Sequence, residues 1–112
     1  MCLESIAKDP KNRVVYFPDG LRFGGHEPDV LHDKVGQMAK VVETPECIIE
    51  MPDDRVFYFR SIEYNCMVMM EAACQQGRWV AVTFQANPSA DYIQSLLKQG
   101  NFIPGVSIGQ SL

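Results

Sequence analysis

The fold depends on residues 65–84, which read NCMVMMEAACQQGRWVAVTF. The first part of this segment fits a helix, because Met, Glu and Ala favour helix and apolar residues recur at helical spacing from Ile62. It also fits a buried strand, because residues 65–70 are apolar on both faces and residues 75–77 lead directly into the strand-like run 78–84. The local pattern leaves both structures open.

Two hairpins are predicted before this segment. Residues 13–17 are β-branched and aromatic, and a Pro-Asp-Gly turn separates them from residues 21–23. Residues 46–51 and 55–60 form a second strand pair, joined by a Pro-Asp-Asp turn.

Two helices are also predicted. Residues 28–42 carry apolar side chains at helical spacing, and Pro45 ends this helix. The second helix starts with Asn87 as N-cap and Pro88 in the first turn, and it stops before Gly100.

The ends of the chain carry weaker patterns. Residues 1–12 predict a loose helical turn or an arm, residues 102–108 include a short edge strand, and residues 109–112 form a frayed tail. The whole chain, residues 1–112, is expected to be one domain. The predicted fold class is α+β, with an antiparallel sheet of about four to six strands and two main helices packed on it.

Length and composition exclude several classes of protein. Hydrophobic residues make up 46% of the 112 residues and charged residues 21%, which is typical of a globular domain. Apolar runs are far shorter than the roughly 20 residues of a membrane span, and the start does not resemble a signal peptide. A cytoplasmic protein with reduced cysteines, no metal and no cofactor is therefore expected.

The net charge of −4 is unfavourable for nucleic-acid binding through a general cationic field. Basic residues are nevertheless concentrated near the start, where four of the ten lie in the first 22 positions. These four residues are Lys8, Lys11, Arg13 and Arg22. A local basic patch is compatible with this distribution.

Five side chains are candidates for chemistry from their type and position. His26 and His32 are the two histidines, and imidazole suits general base catalysis; loop and helix-surface roles are the alternatives. Strand alternation places Tyr58 and Arg60 on one face. If that face coincides with the polar face of residues 79–85, Thr83 joins them, and Arg60 and Thr83 suit phosphate binding. An ordinary polar sheet face is the alternative.

The order of these elements resembles the barnase/EndoU/colicin/RelE-like nuclease superfamily, over about residues 26–86. The matching features are a histidine near a helix, a Pro-x-x-Ile strand start, a Tyr/Phe-rich strand, an apolar strand and a strand ending in Val-Thr-aromatic. They correspond here to Pro45–Ile49, Phe57–Phe59, Val68–Met70 and Val82–Phe84. The resemblance favours the strand structure for residues 66–70.

The resemblance implies an open antiparallel sheet with helices on one face, and metal-independent RNA cleavage in a toxin or mobile-element setting. It implies His32 or His26 as base, Arg60 or Arg55 as phosphate clamp, and Thr83 as orienting hydroxyl. A second resemblance, of residues 79–102 to the closing strand and helix of acetyltransferases, lacks the Gly-rich pyrophosphate loop.

The expected partner is therefore RNA, or alternatively a basic protein bound by a non-catalytic immunity or regulatory module. Residues 67–70 are rich in methionine and fit either a core or a homodimer interface.

Overall fold

The computed structural model describes residues 5–18, 22–25, 34–62 and 66–104. These residues form eight strands and two helices. The strands are β1 (Ser5–Lys8), β2 (Val14–Phe17), β3 (Arg22–Gly25), β4 (Cys47–Met51), β5 (Arg55–Ile62), β6 (Cys66–Gln75), β7 (Arg78–Ala86) and β8 (Asn101–Pro104). The helices are α1 (Lys34–Glu43) and α2 (Ala90–Gln99).

The hairpin structure of residues 66–84 is confirmed. β6 and β7 pair antiparallel, and they are joined by Gln76 and Gly77, both with positive φ, at 54° and 79°. Two such residues give the turn whose twist matches the flanking strands. Val68, Met69 and Met70 are each at most 1% exposed, so this part of the strand is buried on both faces. Burial on both faces explains why its sequence lacks the alternation of an ordinary strand.

All eight strands belong to one sheet, in the order β1-β2-β7-β6-β5-β4-β8, with β3 also paired to β7. β4 to β7 form an antiparallel meander, whereas β2 and β3 run parallel to β7. The predicted α+β fold with a smaller antiparallel sheet is therefore wrong. The protein is mostly β, with a mixed sheet curled into a half-barrel and two helices.

The N-terminal region accounts for much of this correction. The predicted hairpin of residues 13–17 and 21–23 does not form, because β2 and β3 both run along the same edge of β7 in the same direction. Residues 5–8, predicted as part of an arm or helical turn, instead form β1 and pair with β2. Parallel pairing joins segments distant in sequence, which a local pattern does not reveal.

The two helices lie on opposite faces of the sheet. α1 packs on the face that carries Val56 and Tyr58, which we call the inner face. α2 packs on the face that carries Phe57 and Phe59, which we call the outer face, and it buries Leu96 there. The arrangement with both helices on one face, implied by the resemblance, is therefore wrong.

Both predicted helices are present, but the N-cap of the second helix differs from the prediction. The described part of the first helix ends at Glu43; residues 26–33 lie outside the described residues. The second helix is capped by Ser89, whose hydroxyl accepts a hydrogen bond from the Tyr92 N–H at 3.1 Å. Asn87 instead lies in the bend after β7, with a φ of 51°; its side chain accepts from the Met67 N–H and its N–H donates to the Met67 carbonyl.

The predicted edge strand of residues 102–108 is confirmed as far as Pro104 by β8. The predicted tail, residues 109–112, lies outside the described residues.

Candidate functional site

Tyr58, predicted to face a substrate, is fully buried on the inner face. Its hydroxyl donates a 2.6 Å hydrogen bond to Oδ2 of Asp9, in the turn between β1 and β2. A substrate therefore has no access to this hydroxyl without displacing the core.

The Tyr58 hydroxyl belongs to an inner cluster of Asp9, Arg13, Glu50 and Tyr58. The Asp9 side chain is inaccessible to solvent, and Oδ2 also accepts from Arg13 at 2.7 Å. Its Oδ1 accepts the backbone N–H groups of Lys11 and Arg13 at 2.9 and 2.8 Å. Arg13 extends the cluster by an ion pair with Glu50 of β4. Arg13 directly precedes β2, which is far from β4 in the strand order, so this contact across the inner face identifies the inner face as the concave one.

The protonation states of the inner cluster follow from these bonds. Burial raises the pKa of Tyr58, and its hydrogen bond to Asp9 raises that pKa further. Burial alone would raise the pKa of Glu50, but hydrogen bonds from Lys11 and Arg13 outweigh it and lower that pKa below its usual value. The cluster therefore holds a neutral tyrosine and a compensated set of ions, which is typical of a structural network.

Arg60 also lies on the inner side of the sheet, in register with the buried Val68. Its Nη1 donates a 2.6 Å hydrogen bond to the Thr44 carbonyl, beyond the end of α1. Thr83 lies on the outer face, so the structure does not bring it together with Tyr58 and Arg60.

A β-bulge explains the position of Thr83. Glu71 is in register with Thr83, but the next residue, Ala72, is in register with Ala81, so Val82 is an extra residue in β7. The insertion reverses the alternation after Ala81. His26 and His32 lie outside the described residues.

The outer face instead brings together Arg55, Glu71, Thr83 and Tyr92, which we call the outer cluster. Arg55 Nη1 lies 3.5 Å from Glu71 Oε2, and Glu71 is directly opposite Thr83 in the β6–β7 register. Tyr92 of α2 packs edge-on against Phe57, with ring centroids 6.3 Å apart. The guanidinium carbon of Arg55 lies over the same Phe57 ring, 5.5 Å from its centroid.

The outer cluster remains open to solvent. The side chains of Arg55 and Glu71 are 34% and 16% exposed, and Tyr92 is 36% exposed. Burial raises the pKa of Tyr92, the charge of Glu71 raises it further, and Arg55 acts in the opposite direction. Arg55 also bonds Asp53 through Nε at 2.9 Å. The hydrogen bond to Asp53 is the main cause of a raised pKa at Arg55.

Three of these functional candidates were not predicted from the sequence. Glu71 is the only charged residue between Cys66 and Gln75, and a carboxylate within a buried strand is a usable signal. Tyr92 shares helical spacing with Ile93 and Leu96, a pattern that predicts an apolar face and not a functional role, but its side chain is 36% exposed in α2. The sequence around Asp9, Asp-Pro-Lys-Asn, predicts a turn but gives no indication of a buried carboxylate.

The described residues contain no group of three or more metal-ligating side chains and no helix long and apolar enough to span a membrane. Cys47, Cys66 and Cys74 are free thiols. Burial raises the pKa of Cys47 and of Cys66, which disfavours a thiolate nucleophile at either position.

The methionine-rich residues 67–70 were predicted to lie either in the core or in a homodimer interface. Met69 and Met70 are buried in the core.

No protein-family model, curated protein or solved structure shows significant similarity to this chain. The chemistry of the two clusters is therefore the basis for assigning a function.

Proposed function

We propose that the protein cleaves RNA without a metal ion, using the outer cluster as its active site. The observation that supports this most is the position of Glu71 between Arg55 and Thr83 on a solvent-accessible sheet face. A carboxylate, a guanidinium and a hydroxyl are the groups needed to activate a ribose hydroxyl and to bind the phosphate it attacks.

In this mechanism Glu71 accepts the proton of the ribose 2′-hydroxyl, and the 2′-oxygen attacks the adjacent phosphorus. The bond from phosphorus to the 5′-oxygen breaks, and the leaving oxygen takes a proton from the Tyr92 hydroxyl. The proton held by Glu71 then passes through a water molecule to the Tyr92 oxygen, which restores both groups to their starting states. The products are a 2′,3′-cyclic phosphate and a free 5′-hydroxyl.

Arg55 and Thr83 are assigned to the phosphate. The guanidinium of Arg55 is planar and donates several hydrogen bonds, which suits a phosphate oxygen that gains charge in the transition state. The Thr83 hydroxyl donates one more hydrogen bond from the neighbouring strand.

Asp53 acts against phosphate binding in the free protein. Its carboxylate forms an ion pair with Arg55. The Asp53 side chain is 57% exposed, so this ion pair is open to water. Exposed ion pairs contribute little free energy, about 0–1 kcal/mol. A bound phosphate therefore displaces Asp53 from Arg55 at small cost.

The test is incubation of purified protein with single-stranded RNA in EDTA, with the products analysed for 2′,3′-cyclic phosphate. We expect Glu71→Gln to lower the rate by about 100-fold or more, as for loss of a general base. Asp91→Asn, an exposed acid in the first turn of α2, is the matched control and should leave the rate unchanged. Wild-type protein that leaves RNA intact, or cleaves it as well after Glu71→Gln, would contradict the proposal.

A non-catalytic protein-binding module is the second candidate. Leu97 of α2 and Phe102 of β8 are 37% and 51% exposed, and the net charge of −4 favours a basic partner. Calorimetric titration with an Arg- and Lys-rich peptide tests it. Binding that weakens after Phe102→Ser would support this function, and absence of binding at low salt would contradict it.

A further inference from the structure

Gln85 lies on the outer face, two residues after Thr83 in β7. Its neighbours Phe84 and Ala86 belong to the inner core, and its partner in the β6–β7 register, Met69, belongs to the outer core. Side chains two residues apart in a strand point the same way and are about 7 Å apart. Gln85 therefore provides the next side chain along this face from the hydroxyl assigned to the phosphate.

The Gln85 side chain is half-buried and has no hydrogen-bond partner among the residues that the structure describes. A primary amide carries one acceptor oxygen and two N–H donors, and such groups are normally bonded when they are withdrawn from water. By contrast, the Asn87 side chain, two residues later, accepts a 3.1 Å hydrogen bond from the Met67 N–H. Gln85 therefore keeps its bonding capacity for water or a ligand.

The strands on either side place no competing polar group next to this amide. Gly24 of β3 is in backbone register with Gln85, and a glycine contributes no side chain. Glycine within a strand often marks a place where a ligand approaches closely. On the other side, Met69 is 1% exposed and has only a weakly accepting sulfur. A ligand at this point of the outer face therefore meets the amide of Gln85.

An amide at this distance from a bound phosphate is suited to reading a nucleotide base. The amide oxygen accepts from the N6 amino group of adenine while the amide N–H donates to N7, which is the common bidentate contact of glutamine with adenine. Guanine presents two acceptors at the same edge, O6 and N7, and the pyrimidines have no N7. This pair of bonds therefore selects adenine, and single-stranded RNA leaves the required edge accessible.

The position of the phosphate determines which nucleotide is read. In the common anti conformation of a purine nucleotide, the N7 edge lies on the side of its own 5′-phosphate. The phosphate assigned to Arg55 and Thr83 is the 5′-phosphate of the nucleotide that leaves, whose 5′-oxygen takes a proton from Tyr92. The helix that carries Tyr92 starts four residues after the end of β7, and Gln85 lies near that end of the strand. The nucleotide on the 3′ side of the cleaved bond is therefore the one to reach Gln85.

We infer that Gln85 is a specificity-determining residue, which binds adenine on the 3′ side of the scissile phosphate through N6 and N7. This inference rests on the proposed function, since it takes the same phosphate as its reference point. It predicts cleavage immediately before adenosine, so that the 3′ product starts with adenosine bearing a free 5′-hydroxyl. It also suits a chain with a net charge of −4, because an amide reads a base through neutral hydrogen bonds.

The experiment measures, by fluorescence anisotropy, the binding of 2′-O-methyl oligouridines that contain one adenine, 7-deazaadenine or guanine. This RNA lacks the attacking hydroxyl and stays intact. We expect wild type to bind the adenine oligonucleotide about tenfold more tightly than the other two. Gln85→Leu keeps the approximate volume of the side chain without its hydrogen bonds, and should bind all three equally. Gln99→Leu changes an exposed glutamine at the end of α2; it is the matched control and should keep the preference.

The outcomes separate this inference from the proposed function. An adenine preference that is lost in Gln85→Leu, without cleavage of ordinary RNA, would support base reading and overturn the cleavage mechanism. Cleavage before all four nucleotides alike, or an adenine preference that survives in Gln85→Leu, would overturn the role of Gln85 and leave the mechanism in place. Equal binding of adenine and 7-deazaadenine, or absence of binding by folded wild-type protein, would also overturn the inference. Circular dichroism of each variant verifies that it is folded.

Discussion

The inner and outer clusters contain the same kinds of side chain in different surroundings. Each has an arginine and a tyrosine with two nearby carboxylates, Asp9 and Glu50 inside, and Asp53 and Glu71 outside. The Asp9 side chain is fully buried and accepts four hydrogen bonds. The outer carboxylates keep contact with water.

This difference in surroundings distinguishes a cluster with a structural role from a candidate active site. A buried carboxylate whose oxygens are all bonded has no lone pair left for a substrate, and removing one partner leaves other polar groups uncompensated. A carboxylate with fewer hydrogen-bond partners, such as Glu71 with its 3.5 Å contact to Arg55, has a bonding site to spare. Residue type therefore does not distinguish the two roles. The number of hydrogen bonds does, since Asp9 accepts four, whereas Glu71 has a long contact of 3.5 Å with Arg55.

The largest expected effect is the loss of the buried carboxylate. Asp9→Ala should lower the free energy of unfolding by about 3–5 kcal/mol, because it leaves Arg13 without its buried partner. Urea denaturation measures this change. Asp53→Ala is the outer counterpart and should change it by less than about 0.5 kcal/mol. Equal effects of the two changes would remove the distinction between the clusters.

The next effect concerns activity rather than stability. Arg55→Gln should reduce RNA cleavage by about 100-fold, because a preorganised donor to the transition-state phosphate is lost. Its free energy of unfolding should change by at most about 1 kcal/mol, since both ion pairs of Arg55 are near the surface. Cleavage assays and urea denaturation on the same preparation measure both. An active Arg55→Gln variant would exclude this arginine as the phosphate clamp.

A smaller effect is expected from the two tyrosines. Tyr58→Phe removes the donor to Asp9 and should cost about 1–3 kcal/mol of stability. Tyr92→Phe should be close to neutral for stability and should slow the release of the leaving oxygen. Thermal unfolding of the pair tests the comparison, which fails if Tyr92→Phe is the more destabilising change.

The smallest expected effect is a pH dependence of stability. The pKa of Glu50 in the folded protein is lowered below its ordinary value of 4.5. Glu50 therefore contributes stability above about pH 4.5 that is lost as the pH falls through its folded pKa. Urea denaturation from pH 6 to pH 3 should show a stability advantage of wild type over Glu50→Gln that shrinks on acidification. A constant advantage would mean that Glu50 gains no net stabilisation from Lys11 and Arg13.

The central meander and both helices could be predicted from the sequence because local signals determine them. Turn residues such as Gly77 and apolar periodicity such as that of Ile93 and Leu96 act within a few positions. The parallel pairing of β2 and β3 could not be predicted, since their partner β7 lies some 60 residues away in the chain. β1 pairs with its neighbour β2, but its residues Ser-Ile-Ala-Lys have little strand propensity. Non-local pairing has no local signature.

The candidate site was predicted only in part, for a similarly specific reason. Arg55 and Thr83 were candidates, but alternation assigned Thr83 to the face of Tyr58 because the extra residue Val82 was not foreseen. A single inserted residue reverses every later side chain of a strand. Tyr58 appeared available for chemistry because its polar partner, Asp9, is 49 residues away in the chain.

The most direct test of the account is to locate the bound RNA by NMR. Titration of a 2′-O-methyl oligonucleotide into nitrogen-15-labelled protein should shift the backbone amide signals of Arg55, Glu71 and Thr83. The signals of Met38 and Val42, which lie in α1 and pack on the inner face, should not move. Shifts confined to the inner face, or no shifts at all, would contradict an active site on the outer face.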